Sequence, residues 1–356
     1  MPLWRARSVW ARASRVALLP AAAAYAGVMV TRRRLYAGGW LERQSLPLPS
    51  VGVGNLTVGG AGKTPVAAWV ARWYVAQGHA PAILLRGYGG DEGAIHRALV
   101  PQAQVHEDPD RRRAGARAAA AGADVLVLDD ALQHLRVRPT VSVVLVSAES
   151  WAWAPWPLPA GPWRERCGAL READLVLVTR RVVSRTGADV VARALAPHAG
   201  RASVGLLHLR LAGWHGLRSG RAYPLETVRG ASVLAACGIA DPDSFQGQVA
   251  GCAGRVRRMV WPDHHPYGAR DVRRLLGAAR EVDYVVVTAK DAVKLRRWWP
   301  PEGPEPLVAD LEVGWERGLA EATALLERCL GSPGPTAPRS AGARPVDAAA
   351  SAAERT

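Results

Sequence analysis

A glycine-rich stretch at residues 54–64, GNLTVGGAGKT, follows a short apolar run at 50–53 and precedes a helical run at 65–74. Strand, glycine loop and helix in that order constrain this chain more than any other feature. Glycines let consecutive backbone N–H groups turn into one concavity that suits phosphate oxygens, and the helix N-terminus adds its dipole. In such a loop Lys63 reaches the β- and γ-phosphates and Thr64 ligates Mg2+. The residues expected to cradle ATP are Thr57, Val58, Gly59, Gly60, Ala61, Gly62, Lys63 and Thr64. Thr57 stands where the usual pattern has its first glycine. The plainer alternative is a glycine-rich turn with no ligand.

Further apolar runs at 82–85, 125–128, 141–146 and 175–178 predict short buried strands, several of them separated by alanine-rich helical stretches. That alternation implies an α/β fold with a parallel sheet covered on both faces. Residues 203–217 alternate more loosely and predict a linking strand pair. A second α/β set follows, with strands expected at 231–236, 257–260 and 284–287. At 356 residues two domains are expected. The boundaries fall at 1–48 for a basic leading segment, 49–202 for a nucleotide-binding domain, 203–230 for the linker and 231–330 for the second domain. The Gly-, Pro-, Ala- and Ser-rich stretch 331–356 predicts a disordered tail.

Lys plus Arg total 46 against 31 Asp plus Glu, a net charge of +15, and only Lys63, Lys290 and Lys294 are lysines. Residues 1–48 hold eight arginines and a single acid, Glu42. Between the basic clusters lies an apolar run at 16–30, interrupted by Pro20. It is shorter than the roughly 20 residues a spanning helix needs. An export signal competes, because Ala-Tyr-Ala at 24–26 resembles a cleavage site. The nucleotide loop that follows argues against it, since ATP is cytosolic. The favoured expectation is an interfacial helix lying on the cytoplasmic leaflet of a membrane, peripheral rather than spanning. Trp4, Trp10, Tyr25, Tyr36 and Trp40 would lie near headgroup depth. Each basic residue near an anionic membrane surface contributes about 1 kcal/mol. No recognised nucleic-acid-binding motif accompanies the charge, so nucleic acid is not an expected partner; no protein partner is inferred. Cys167, Cys237, Cys252 and Cys329 are scattered without a CxxC pair, which speaks against a disulfide framework or a structural metal.

Four other clusters carry candidate chemistry. The strand at 125–128 ends in Asp129 and Asp130, where a phosphate-loop protein places a second metal-holding acid. A helix cap is the bland reading there. Gln133 and His134 follow closely enough to support that site. Arg86-Gly87-Tyr88-Gly89-Gly90-Asp91-Glu92 ends the second strand, at 82–85, so Asp91 either faces the ligand crevice or is a solvated loop acid. His264, in Trp261-Pro262-Asp263-His264-His265-Pro266-Tyr267, is either a surface histidine at a helix start or an imidazole orienting a catalytic carboxylate. Lys290 and Lys294 share one helix face at i, i+4, suited to an anionic group or to solvent.

GNLTVGGAGKTP, LLRGYGGDE, VLDDALQH, LPAGPWRER, CGIADPDSF, WPDHHPY and VTAKDAVKL together resemble the tetraacyldisaccharide 4'-kinases, the lipid A 4'-kinases of Gram-negative envelope synthesis. The resemblance covers about residues 18–315. It implies two α/β/α domains with parallel sheets, the first P-loop NTPase-like, joined by a short strand linker. It also implies a basic N-terminal helix docked on the inner membrane. The implied activity is ATP- and Mg2+-dependent phosphorylation of the 4'-hydroxyl of a lipid A disaccharide 1-phosphate. Asp91 matches the family's catalytic acid, with Asp108 as the alternative, and His264 matches the histidine thought to pair with it. Asp129, Asp130 and Glu165 match acids associated with metal and catalysis. In this sequence Gly93 replaces a proline, Ala131 a glycine, Ala289 a glutamate and Arg166 a proline of the family's pattern. The expected mechanism has Lys63 and Mg2+, held through Thr64 and Asp129, neutralising phosphate charge while Asp91 takes the hydroxyl proton. Asp91 and His264 lie in different halves, so closure of the two halves would complete the site.

Two rivals follow from the same residues. A membrane-associated P-loop ATPase switch is the first, but partitioning ATPases carry an extra lysine early in this loop, where Val58 stands. A kinase or ligase for a small metabolite is the second, and it would not need the basic leading segment.

Overall fold

The computed structural model describes residues 8–87, 91–151 and 155–331. Trp4, Arg5 and Arg7, the Tyr88, Gly89 and Gly90 of the second loop, and the tail after Gly331 lie outside the described residues.

Helices α1 (Val9–Ala17) and α2 (Leu19–Ala37) open the described chain and meet at a 50° bend. Pro20 sits in the first turn of α2, where its missing N–H is not needed, and it cannot extend α1. No single helix among the described residues is long and apolar enough to cross a membrane, though this bent pair passes that test by length and composition. Strand β1 (Ser50–Asn55) leads through the glycine loop into α3 (Lys63–Ala76). There follow β2 (Pro81–Leu85), α4 (Asp91–Leu99), β3 (Gln104–Glu107), α5 (Arg111–Ala120) and β4 (Val125–Asp129). Strand β5 (Val141–Ser147), the short α6 (Ala148–Trp151), β6 (Leu175–Arg180) and α7 (Arg185–Leu195) complete the first half. The connection runs through β7 (Ser203–Gly216) and β8 (Ala222–Pro224). The second half comprises β9 (Ser232–Cys237), α8 (Pro242–Ala250), β10 (Arg255–Val260), α9 (Ala269–Ala279) and β11 (Tyr284–Thr288). It continues into α10 (Ala289–Leu295), β12 (Leu307–Arg317) and α11 (Leu319–Gly331).

The strands form one sheet in the order β10-β9-β11-β12-β7-β6-β5-β1-β4-β2-β3, with β8 paired to β7. All neighbours are parallel except β12 with β7 and β8 with β7. Val51, Val53, Val125 and Val127 are fully buried, as strands covered on both faces require. Each such side chain contributes about 1.5–3 kcal/mol relative to an exposed one.

Residues 203–216 form a single strand rather than the expected strand pair. Its first part pairs with β6, and it runs antiparallel to β12 over most of its length. The loose alternation has a physical origin: Leu207 and Leu209 fill the first half's core, while Leu211 and Trp214 fill the second's. One strand thus passes from core to core and joins the two halves of the sheet. Strand β12 and the short β3 were not anticipated. Helix α11, expected with the second half, returns to the first: Ala322, Leu326 and Cys329 join its core, and Tyr74 Oη donates to the Leu326 carbonyl at 3.1 Å.

The basic leading segment only partly matches expectation. Arg33 pairs with Glu165 at 2.9 Å and Glu172 at 3.0 Å, and Arg43 with Glu172 at 3.5 Å. Arg32 donates to the Gln133 carbonyl and lies over the Tyr36 ring. Tyr36 is buried, not at headgroup depth as the sequence suggested. These contacts fasten α2 to the nucleotide half and take three arginines out of the outward-facing charge. Val9, Trp10, Val16 and Trp40 stay exposed, Trp10 at 83%.

Candidate active site

Strand β1 carries the site because its neighbours on either side are β4 and β5. Register sets Val53 beside Asp129, so the acid at the end of β4 stands next to the loop strand. The loop turns at Gly59 (φ 101°) and Gly62 (φ 89°), left-handed conformations that glycine adopts without penalty. Around it Val58 N–H donates to the Pro162 carbonyl, Arg181 to the Gly60 carbonyl and Thr179 Oγ1 to the Ala61 carbonyl. Thr57 makes an isolated bridge to Trp163. From the second half, Ala240 and Asp241 stand against Gly59 and Gly60, narrowing the mouth of the loop. Ser147, Ser150 and Asp241 line the same cleft as Thr57, Val58 and Ala61.

Lys63 donates to Asn55 Oδ1 at 2.9 Å and lies 3.2 Å from Asp130 Oδ1. Asp130 adopts φ 58°, an uncommon conformation for a non-glycine residue, and also faces Arg164 at 3.4 Å. Thr64 Oγ1 donates to Asp129 Oδ2 at 3.3 Å, and His96 Nε2 lies 3.0 Å from that same oxygen. Asp129 Oδ1 is buried without a partner. Burial opposes the Asp129 charge, but His96 and Lys63 outweigh it and hold the carboxyl below the usual carboxylate range. Arg111 donates to the Asp129 and Asp108 carbonyls, and burial pushes its guanidinium down to about 10.

Asp91 begins α4 with a side chain only 2% exposed. His264 Nδ1 lies 3.6 Å and Lys294 Nζ 2.8 Å from its Oδ2. Burial opposes its ionisation, yet His264 and Lys294 together hold Asp91 well below the usual range. The same contact raises His264. His264 itself adopts φ 59°, and its N–H donates to the Gly238 carbonyl. That turn is braced by buried Asp291, which accepts from Gly238 N–H and Tyr267 Oη, both at 2.9 Å. The neighbouring His265 faces Asp271 at 3.1 Å instead, at the start of α9. Two adjacent histidines therefore divide, one bracing a helix and one meeting Asp91.

The structure brings Asp91 to His264, whereas Asp108 pairs with Arg113 and Arg117. Lys63, Thr64, Asp129 and Asp130 form one contiguous group at the ends of β1 and β4. Glu165 follows Arg164 at its edge but spends one oxygen on Arg33. Thr64 and the unpartnered Asp129 Oδ1 are hard oxygen donors suited to Mg2+, an ion that commonly takes one or two protein ligands and completes its shell with phosphates and water. Lys290 acts on Glu92, Asp129 and His264, so the three lysines of the chain converge on one crevice.

The family described as tetraacyldisaccharide-1-P 4'-kinase matches residues 14–328. The chain belongs to the tetraacyldisaccharide 4'-kinase family. The tetraacyldisaccharide 4'-kinase of Alkalilimnicola ehrlichii is 35% identical over 353 residues, covering 92% of this chain and 96% of that one. The enzyme of the same name from Pelobacter propionicus is 36% identical over 327 residues, covering 82% and 88%. Among solved structures, the "apo" form of LpxK from Aquifex aeolicus in complex with ATP has a TM-score of 0.67 at 22% identity, covering 89% of this chain and 99% of that one. That likeness concerns the fold.

As a member of the tetraacyldisaccharide 4'-kinases the chain is a kinase, and the switch ATPase is not favoured. Three residues of this kinase's crevice carry no candidate role in the sequence: His96, Arg111 and Arg164. Lys294 carried a signal, being one of three lysines in an arginine-rich chain. His96 and Arg111 lie inside helices without a motif, and only tertiary packing reveals them.

Proposed function

We propose that this kinase transfers the γ-phosphoryl group of ATP to the 4'-hydroxyl of a tetraacyldisaccharide 1-phosphate, on the cytoplasmic face of an inner membrane. The observation that carries the reading is that His264 lies 3.6 Å from Asp91, which starts the helix whose His96 touches Asp129. One helix thereby carries both the proposed proton acceptor and the histidine that holds the acid at the end of β4.

In the proposed reaction the 4'-oxygen bonds to the γ-phosphorus, the bond to the β–γ bridging oxygen breaks, and ADP leaves. Asp91 takes the hydroxyl proton, and its ionised state at neutral pH equips it to do so. His264 orients Asp91. Lys63 moves from Asp130 and Asn55 onto the β- and γ-phosphates, while loop N–H groups bind the rest. Thr64 and Asp129 would hold Mg2+, which supplies charge neutralisation at the phosphate oxygens. Asp130 with Arg164, and Glu165 beyond it, support this edge of the site. Asp241 and Ala240 exclude water from the loop mouth when the halves are together. The exposed apolar residues of α1 with Arg12 suit an anionic bilayer surface.

ADP release with and without the acceptor lipid tests this reading against a free-running ATPase. Release should depend on the acceptor, and an equal rate in its absence contradicts the assignment.

A further inference from the structure

Helix α4 does two things at once. Its first residue is Asp91, and its sixth, His96, is fully buried with Nε2 3.0 Å from Asp129 Oδ2. A carboxylate only accepts, so Nε2 carries the hydrogen and donates it. Thr64 Oγ1 gives its own hydrogen to that same oxygen. Both donors thus converge on Oδ2, while Oδ1 is buried and has no partner. Leaving a carboxylate oxygen unpaired in a dry interior is unfavourable unless something else is to meet it. Arg111 meanwhile fixes the backbone of the same residue through its carbonyl. Rotation of the Asp129 carboxylate about its own terminal bond would exchange the two oxygens.

Resting on the kinase reading above, we propose that His96 is a positioning residue that locks this rotation, presenting Asp129 Oδ1 to the divalent cation of the Mg–ATP complex. Partners that orient a metal-side carboxylate commonly change metal affinity by roughly 10- to 100-fold when removed. Because His96 and Asp91 share α4, the same helix sets the spacing between the cation and the proton acceptor. His96 touches neither nucleotide nor acceptor in this role. A purely structural role would act on folding and on all nucleotide binding alike.

The test measures binding of a fluorescent ATP analogue with Mg2+ and with EDTA, and Mn2+ binding by paramagnetic resonance, on the full chain. The parent protein should bind the analogue more tightly with Mg2+; if it does not, the kinase reading itself fails. His96→Leu and His96→Met remove the donor and keep bulk. They should weaken Mg2+-dependent and Mn2+ binding about 10- to 100-fold, with binding in EDTA within about twofold of the parent and nearly unchanged KM for the acceptor. His96→Gln, which restores an N–H, should recover most of the loss. Cation binding within about twofold of the parent in a folded Leu or Met variant overturns the proposal, as does an equal loss in EDTA. If neither apolar variant folds, a folded His96→Gln with a cation response more than 100-fold weaker than the parent overturns it equally.

Discussion

His264 Nδ1 stands 3.6 Å from the Asp91 carboxylate, although the two residues come from opposite halves of the chain. Lys294, also from the second half, lies 2.8 Å from the same oxygen. The buried Asp91 carboxylate of the first half therefore meets two side chains of the second, and the proposed site draws on both halves.

Asp91→Asn removes a proton acceptor and keeps the shape of the side chain. General base removal costs roughly 10²- to 10⁴-fold in rate, so kcat should fall by that order with the KM for ATP within about threefold. His264→Ala should cost less, and the double variant should be no worse than Asp91→Asn, because the two act as a unit. Steady-state kinetics with both substrates varied checks this. Additive losses would separate the two roles.

The pairing also sets a pH signature. Asp91 raises His264, while burial and Lys290 work against that shift. A histidine raised in the folded state contributes stability at pH below its unfolded value and loses it as pH rises through the folded value. In Asp91→Asn the His264 titration, followed by NMR of the imidazole nitrogens, should move to lower pH. An unchanged titration would mean the two side chains do not interact in solution.

How much of this was visible in the amino-acid sequence depends on distance along the chain. The phosphate loop, Lys63, Thr64 and the acids after β4 were legible because strand, loop and helix are local and their spacing carries the chemistry. Asp91 and His264 were linked only by resemblance, since nothing in either segment says which fold brings them together. His96 was invisible: a histidine inside a helix carries no spacing, and its partner Asp129 ends strand β4, beyond another helix and strand. Charge misled in one respect. A run of arginines at 32–34 reads as an outward basic face, but Arg33 finds Glu165 and Glu172 far along the chain. Strand β12 follows a proline-rich stretch at 300–306 that obscures its start, and its antiparallel partner β7 lies about a hundred residues earlier.

Arg33 and Glu165 have side chains only 12% and 4% exposed. Breaking a buried pair by removing one partner costs about 3–5 kcal/mol, because the other charge remains uncompensated. Arg33→Ala should destabilise the first half by that order in chemical denaturation and expose α2 to limited proteolysis. Arg33→Met with Glu165→Leu should recover much of the loss. Stability unchanged in Arg33→Ala would show that α2 is not held through this contact.

Gly62 has φ 89°, and a Cβ there would lie 2.3 Å from Leu209 Cδ1. The leucine can turn aside, but the left-handed backbone costs an L-residue about 1–2 kcal/mol. Gly62→Ala should weaken ATP binding about tenfold or more and lower the unfolding midpoint. Calorimetric titration with ATP, paired with thermal melting, measures both. Unaltered ATP affinity would mean that the loop does not need this conformation to hold phosphate.

The most direct measurement of the central claim is transfer of radiolabelled γ-phosphate to purified tetraacyldisaccharide 1-phosphate, with the product located by mass spectrometry. Label should appear on the 4'-oxygen of the acceptor in the parent protein and fall by at least a hundredfold in Asp91→Asn. Label recovered only as inorganic phosphate, or equal 4'-labelling by Asp91→Asn, would contradict the account.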